Sequence, residues 1–302
     1  MFADNTFSVK SDKDLDRLID YVNAEVNKMA IWFRANKLAV NKSKTKYMIF
    51  RTRGKNLPNN LPDVIFNENE TNCPFNHDLV TTLERYHTNH PNVEGRYYKL
   101  LGILLDEHLT LDFHVNHLTK KLAKSMYCIK MAKQNVNPPG LRSLYFALIH
   151  SHLSYCPTIL NCMSKTNLKR LEKIQKKAVR IITKSAYNAH TVPLFYENKI
   201  LPIAKIIKMA NLNCMHSVFY EYAPRSFMQT WIKNNERQHD HNLRNDNDYM
   251  LPNPRLEQFK IFPIHSLPFE WNQAGVVTLY ENKTTFRIAL KGLLFEEVLE
   301  GQ

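Results

Sequence analysis

Lys165, Lys169, Lys173, Lys176, Lys177, Arg180 and Lys184 recur mostly at three- and four-residue intervals. At about 100° per residue they gather on one side of a helix running from about Ser164 to Lys184. Leu168, Leu171, Ile174, Ala178, Ile181 and Ile182 gather opposite, so the segment reads as an amphipathic helix with one packed face and one cationic face. Glu172 is the single acid within it. A face stabilised by surface ion pairs interleaves acids at four-residue spacing. Here the cations stand together, and crowding like charges costs stability unless a polyanion lies near. The chemistry this pattern suits is contact with a phosphate backbone, without reading bases.

The chain has 302 residues, enough for two ordinary domains, and its formal charge of +13 attracts polyanions. Nucleic acid is the first such partner. The alternative is a non-catalytic basic scaffold that meets an acidic protein or membrane surface. No apolar run approaches the roughly 20 residues a bilayer needs. The polar stretch after Met1, with Asp4, Asn5, Ser11, Asp12 and Asp14, does not resemble a secretory signal. The five cysteines are scattered, without a Cys-x-x-Cys pair, as suits a reducing compartment. An intracellular protein, nuclear or cytoplasmic and without a membrane partner, is therefore expected. Cys73-x-x-x-His77 followed by His87-x-x-His90 supplies zinc-type ligands, but the spacing fits no common finger, and the four read as polar loop residues. His239-Asp240-His241 reads the same way.

The elements that must position these groups follow from periodicity. Leu15, Leu18, Ile19, Val22, Val26, Met29, Ala30 and Phe33 mark an amphipathic helix, started by Ser11 with Asp14 in a capping-box-like arrangement. Leu38 to Val40 and Tyr47 to Phe50, on either side of the turn Asn41 to Lys44, read as a strand pair. Residues 51–96 read as an irregular insert in which Leu79 to Tyr86 form a short helix. Tyr97 to Leu105 is strand-like. Helices then follow around Phe113 to Ile129, from Pro138-Pro139 through Ile149, from Ser164 to Lys184, over Ile203 to Phe219, and over Phe286 to Val298. A polar linker covers about 233–253. The expected fold is α+β and mostly helical.

Against this background Phe2-Ala3-Asp4-Asn5, set before a helix and strands, resembles the aromatic-Ala-Asp-Asp hairpin of reverse transcriptases. Trp32 to Leu38, Asn41 to Phe50 and Tyr98 to Asp106 are similar, in the same order, to later palm segments of non-LTR, LINE-type (jockey-like) retrotransposon enzymes. Leu171 to Ile182 is similar to a thumb helix of that family. The resemblance implies a C-terminal fragment: the end of the palm at 1–50, the insert at 51–96, a primer-grip-like strand region at 97–109 with Leu101-Gly102 at its centre, a helical thumb at 110–187 and a helical connector at 188–302. It implies that Asp4 is a ligand of Mg²⁺ or Mn²⁺, with Asn5 in place of a second carboxylate. Carboxylate oxygens are the ligands Mg²⁺ prefers, and an amide carbonyl attracts a dication more weakly. Lys44 matches a family lysine that acts near the leaving pyrophosphate. The implied ligand is primer–template, an RNA–DNA or DNA duplex. The family's fingers and first palm carboxylate lie before the hairpin, and only Met1 does here, so polymerisation is expected to need the upstream half of the polymerase as a partner.

Overall fold

The computed structural model describes residues 6–58, 60–67, 80–234, 248–275 and 279–300. The chain forms two compact units, Met1–Leu109 and Thr110–Gln302, and is mostly helical with small sheets.

In the first unit α1 spans Leu15–Ala35. Its start is set by Asp14, not Ser11: the Asp14 carboxylate accepts from the N–H groups of Asp16 and Arg17, two of the donors a helix start leaves unpaired. A 3₁₀ turn at Lys42–Lys44, capped by the Asn41 side chain, leads into β1, Lys46–Met48. The partner of β1 is not Leu38 to Val40 but the distant strand β4, Glu84–Tyr86, in parallel register. β2 (Ile65–Asn67) pairs antiparallel with β3 (Val80–Thr82). The helix expected over Leu79 to Tyr86 is thus two strands, because Val80, Thr81 and Thr82 are β-branched and stiff at χ1, which favours the pleated backbone. The supposed insert in fact supplies the cover for α1. Val64, Phe66 and Leu83 bury against Ile19 and Ala30, with Leu15, Val22 and Val26 packed beside them. Asn23 fixes the approach, donating to the Asp63 carbonyl at 3.1 Å and accepting from the Ile65 N–H at 2.8 Å. Tyr21, Ile31 and Trp32 remain exposed on the other side of α1.

The hairpin of β5 (Tyr98–Leu100) and β6 (Ile103–Leu105) turns through Leu101 and Gly102, with φ of 48° and 89°. A two-residue turn with both φ values positive matches the twist of the strands it joins, and glycine enters it without a Cβ penalty.

The second unit is helical: α2 (Asp112–Ala132), α3 (Pro138–Tyr145), a π turn (Phe146–His150) continuing into α4 (Ser151–Leu153), α5 (Pro157–Leu160), α6 (Lys165–Ile182), α7 (Thr191–Glu197), α8 (Ile203–Phe219), α9 (Arg225–Met228), α10 (Glu257–Lys260), α11 (Pro263–Asn272) and α12 (Lys283–Glu300). Leu122, Ile129, Leu141, Tyr145, Ile149, Leu171, Ile203 and Phe286 are fully buried in it. Helices from both sides of residue 188 share this core, α6 packing on α2, α3, α7 and α8. His216 lies at its centre, stacked 4.2 Å from the Phe286 ring, with Nε2 2.8 Å from the Tyr280 carbonyl. Most of the polar linker, 235–247, lies outside the described residues, but its flanks are tied: Lys233 bridges Tyr249, and Asn272 bonds both the N–H and the carbonyl of Tyr249. Among the described residues no helix is long and apolar enough to cross a membrane.

Candidate nucleic-acid interface

The cationic helix begins where Ser164 accepts from the Asn167 N–H at 3.2 Å, and it ends as Lys184 turns to a positive φ of 56°. Its inward face holds Leu171, Ala178, Val179 and Ile182 together with two buried amides, Asn167 and Gln175. Leu168, Ile174 and Ile181, assigned to the packed face by periodicity, are only half-buried. Lys165, Lys169, Lys173, Lys176, Lys177 and Lys184 are exposed. None of these six has a carboxylate partner among the described residues. Arg180 differs from them: it is half-buried and its Nε donates to the Ala189 carbonyl at 2.9 Å, so it also clamps the turn that follows the helix.

What orients this face is a set of buried polar contacts that periodicity does not reveal. Gln175, 1% exposed, donates to the Tyr145 hydroxyl and to the Leu201 carbonyl, both at 2.9 Å, and accepts from the Ile203 N–H at 2.8 Å. Its one side chain thereby ties α6 to α3 and supplies an acceptor to an otherwise unpaired donor in the first turn of α8. Burial pushes the Tyr145 phenol up to about 12, so it stays neutral as Gln175's acceptor. Asn167 donates to Asp112 at 2.6 Å, and Arg170 spans to Asn116 at 2.9 Å, fixing α6 along α2.

The other predicted site residues belong to the first unit or lie outside the described residues. Asp4 and Asn5 lie outside the described residues, as do Cys73, His77, His239, Asp240 and His241. Lys44 is exposed at the end of its 3₁₀ turn, its N–H held by Asn41. Leu101 and Gly102 are exposed at the hairpin tip. Beside Lys44, a groove of about 610 Å³ is lined by Ser43, Lys46, Glu84, Tyr86 and His90. Its charges satisfy one another: Glu84 binds Lys46 through one oxygen and His90 Nε2, at 3.0 Å, through the other. Among the described residues no three His, Cys, Asp or Glu side chains gather as a metal site would require.

Two carboxyls, one buried and one half-buried, were not foreseen. Glu107, 2% exposed, accepts from the hydroxyl and N–H of Thr88, and Arg51 and Arg85 lie within 3.4 Å. Burial alone would raise its pKa, but Thr88 and Arg51 lower it to about 2. It joins the residues after β1 and β4 to the end of β6, a structural role that an isolated Glu in a strand-end sequence does not announce. Glu270, between α11 and α8, is the opposite case. Burial pushes it up to about 7, only partly offset by the Asn211 amide at 3.2 Å and by Lys208. Its Oε2 and the Asn211 Oδ1 have no hydrogen-bond partner among the described residues.

A pH prediction follows from Glu270. Its folded pKa lies above the ordinary value of 4.5, so its stabilising effect is complete below about 4.5 and is lost as pH rises to about 7. Urea unfolding, followed by tryptophan fluorescence at pH 5 and pH 8, should show wild type losing about 2 kcal/mol more than Glu270→Gln, allowing for partial exposure. Equal losses in the two proteins would contradict this assignment.

Compared with known protein families, curated proteins and solved structures, the chain matches none.

Proposed function

We propose that the helical unit binds a nucleic-acid duplex through its phosphates, as a polymerase thumb holds primer–template, and that the chain is part of a LINE-type reverse transcriptase. The observation that carries the binding is the row of five exposed lysines on α6, with Lys184 just past its end, all without carboxylate partners among the described residues. Such a row leaves its charge available to a polyanion, and each phosphate met releases condensed counterions. The family is supported by the ordered sequence resemblances alone. In that reading Mg²⁺ or Mn²⁺ would be held by Asp4 with Asn5, both outside the described residues. The function proposed for this chain is therefore binding, and no step of nucleotide addition is assigned to it.

The test is duplex binding against salt. If about four lysines meet phosphates, the log of the association constant for a 20-base-pair RNA–DNA duplex falls against log salt with a slope of about −3 to −4. Fluorescence anisotropy between 50 and 300 mM KCl measures it. An affinity unmoved by salt would remove the basis of the reading.

A further inference from the structure

The exposed face of α2 carries Lys120, Lys121, Lys124 and Lys130, and also Tyr127 and Met131, which are 64% and 60% exposed. The one carboxylate on this helix, Asp112, sits at its start and is engaged by Asn167. α2 and α6 run side by side in the same direction, since Asp112 meets Asn167 and, one turn on, Asn116 meets Arg170. These contacts locate the seam between the exposed faces. From Asn116, the residues Lys120, Tyr127 and Met131 fall within about 60° of one another on the wheel. From Arg170, so do Lys173 and Lys177, and Lys184 follows just past the end of α6. The two rows, about 22 Å long on α2 and about 10 Å on α6, therefore border one seam on the same side: lysines on α6, and a lysine with an aromatic and a thioether on α2.

We infer that this two-helix surface binds single-stranded nucleic acid, with the α6 lysines on its phosphates and Tyr127 and Met131 against unpaired base faces. This rests on the proposed polynucleotide binding and adds a preference to it. In a duplex the base faces are covered by stacking, so Tyr127 reaches none without unstacking them. In a single strand each base offers a π-face, and stacking on an aromatic contributes affinity whatever the sequence. A row of lysines alone does not discriminate in this way.

The experiment compares a 20-nucleotide oligo(dT) with a 20-base-pair duplex by anisotropy at 100 mM KCl, on the full chain. Tyr127→Ala is expected to weaken oligo(dT) about tenfold and the duplex less than twofold. Tyr127→Phe, which keeps the ring, should restore oligo(dT) binding. Circular dichroism should be unchanged, as the side chain is exposed. If Tyr127→Ala leaves oligo(dT) binding intact, or weakens both ligands equally, or if Tyr127→Phe behaves like alanine, the inference is wrong. The same holds if Tyr127→Ala weakens binding to phosphatidylserine vesicles and spares oligo(dT). The underlying function is read separately: K173Q, K176Q and K177Q together should weaken both nucleic acids, and if they weaken neither, polynucleotide binding itself fails.

Discussion

Replacing Lys173, Lys176 and Lys177 together by glutamine is expected to weaken duplex binding on the order of a hundredfold at 0.1 M salt. Each lysine on a phosphate adds about 0.9 to the log–log salt slope, so two of the three in contact account for about 1.8 decades at that concentration. The slope should become shallower by about 2 in the same variant. Little else should change, because all three side chains are exposed and none pairs with a carboxylate among the described residues. Replacement by arginine keeps the charge and should hold affinity within a few-fold. A loss below threefold on glutamine substitution, with slope unchanged, would mean that the cationic face is merely solvated.

Gln175→Leu is expected to cost about 3–4 kcal/mol of stability in urea unfolding. Leucine of similar size leaves three buried groups without partners: the Tyr145 hydroxyl, the Leu201 carbonyl and the Ile203 N–H. Each unsatisfied buried group costs about 1–3 kcal/mol, relieved partly by adjustment of the site. Adding Tyr145→Phe removes one of the three and should return about 1 kcal/mol, since removing both partners of a buried hydrogen bond is far cheaper than removing one. A loss under 1 kcal/mol, or no recovery in the double variant, would show that Gln175 does not hold α3, α6 and α8 together as described.

The helical half was legible because its signals are local. Pro138-Pro139 at the start of α3 and three- and four-residue apolar spacing each act within one or two turns, and the helices Ile203–Phe219 and Lys165–Ile182 follow directly from such spacing. The first unit was read less well for the opposite reason. Strands β1 and β4 are 38 residues apart where Lys46 meets Glu84, and no local pattern chooses such a partner. The segment Val80 to Tyr86, with Glu84 and Arg85 in it, fits either period; its β-branched start and the pairing of Leu83 with Val64 over α1 decide for strands.

At the candidate interface the division is similar. The amino-acid sequence alone determined that the cations of α6 share one face, because a helix has a fixed angular step and that face needs no partner to exist. Only the tertiary structure decided which of them stay free for a ligand. It tied Arg180 to the Ala189 carbonyl, left six lysines exposed, and set α2 beside α6 through Asp112 and Asn116, so that Tyr127 came to border the same seam. Polar side chains such as Gln175, Glu107 and Glu270 find their partners across long stretches of chain, and their roles exist only once those partners are in place.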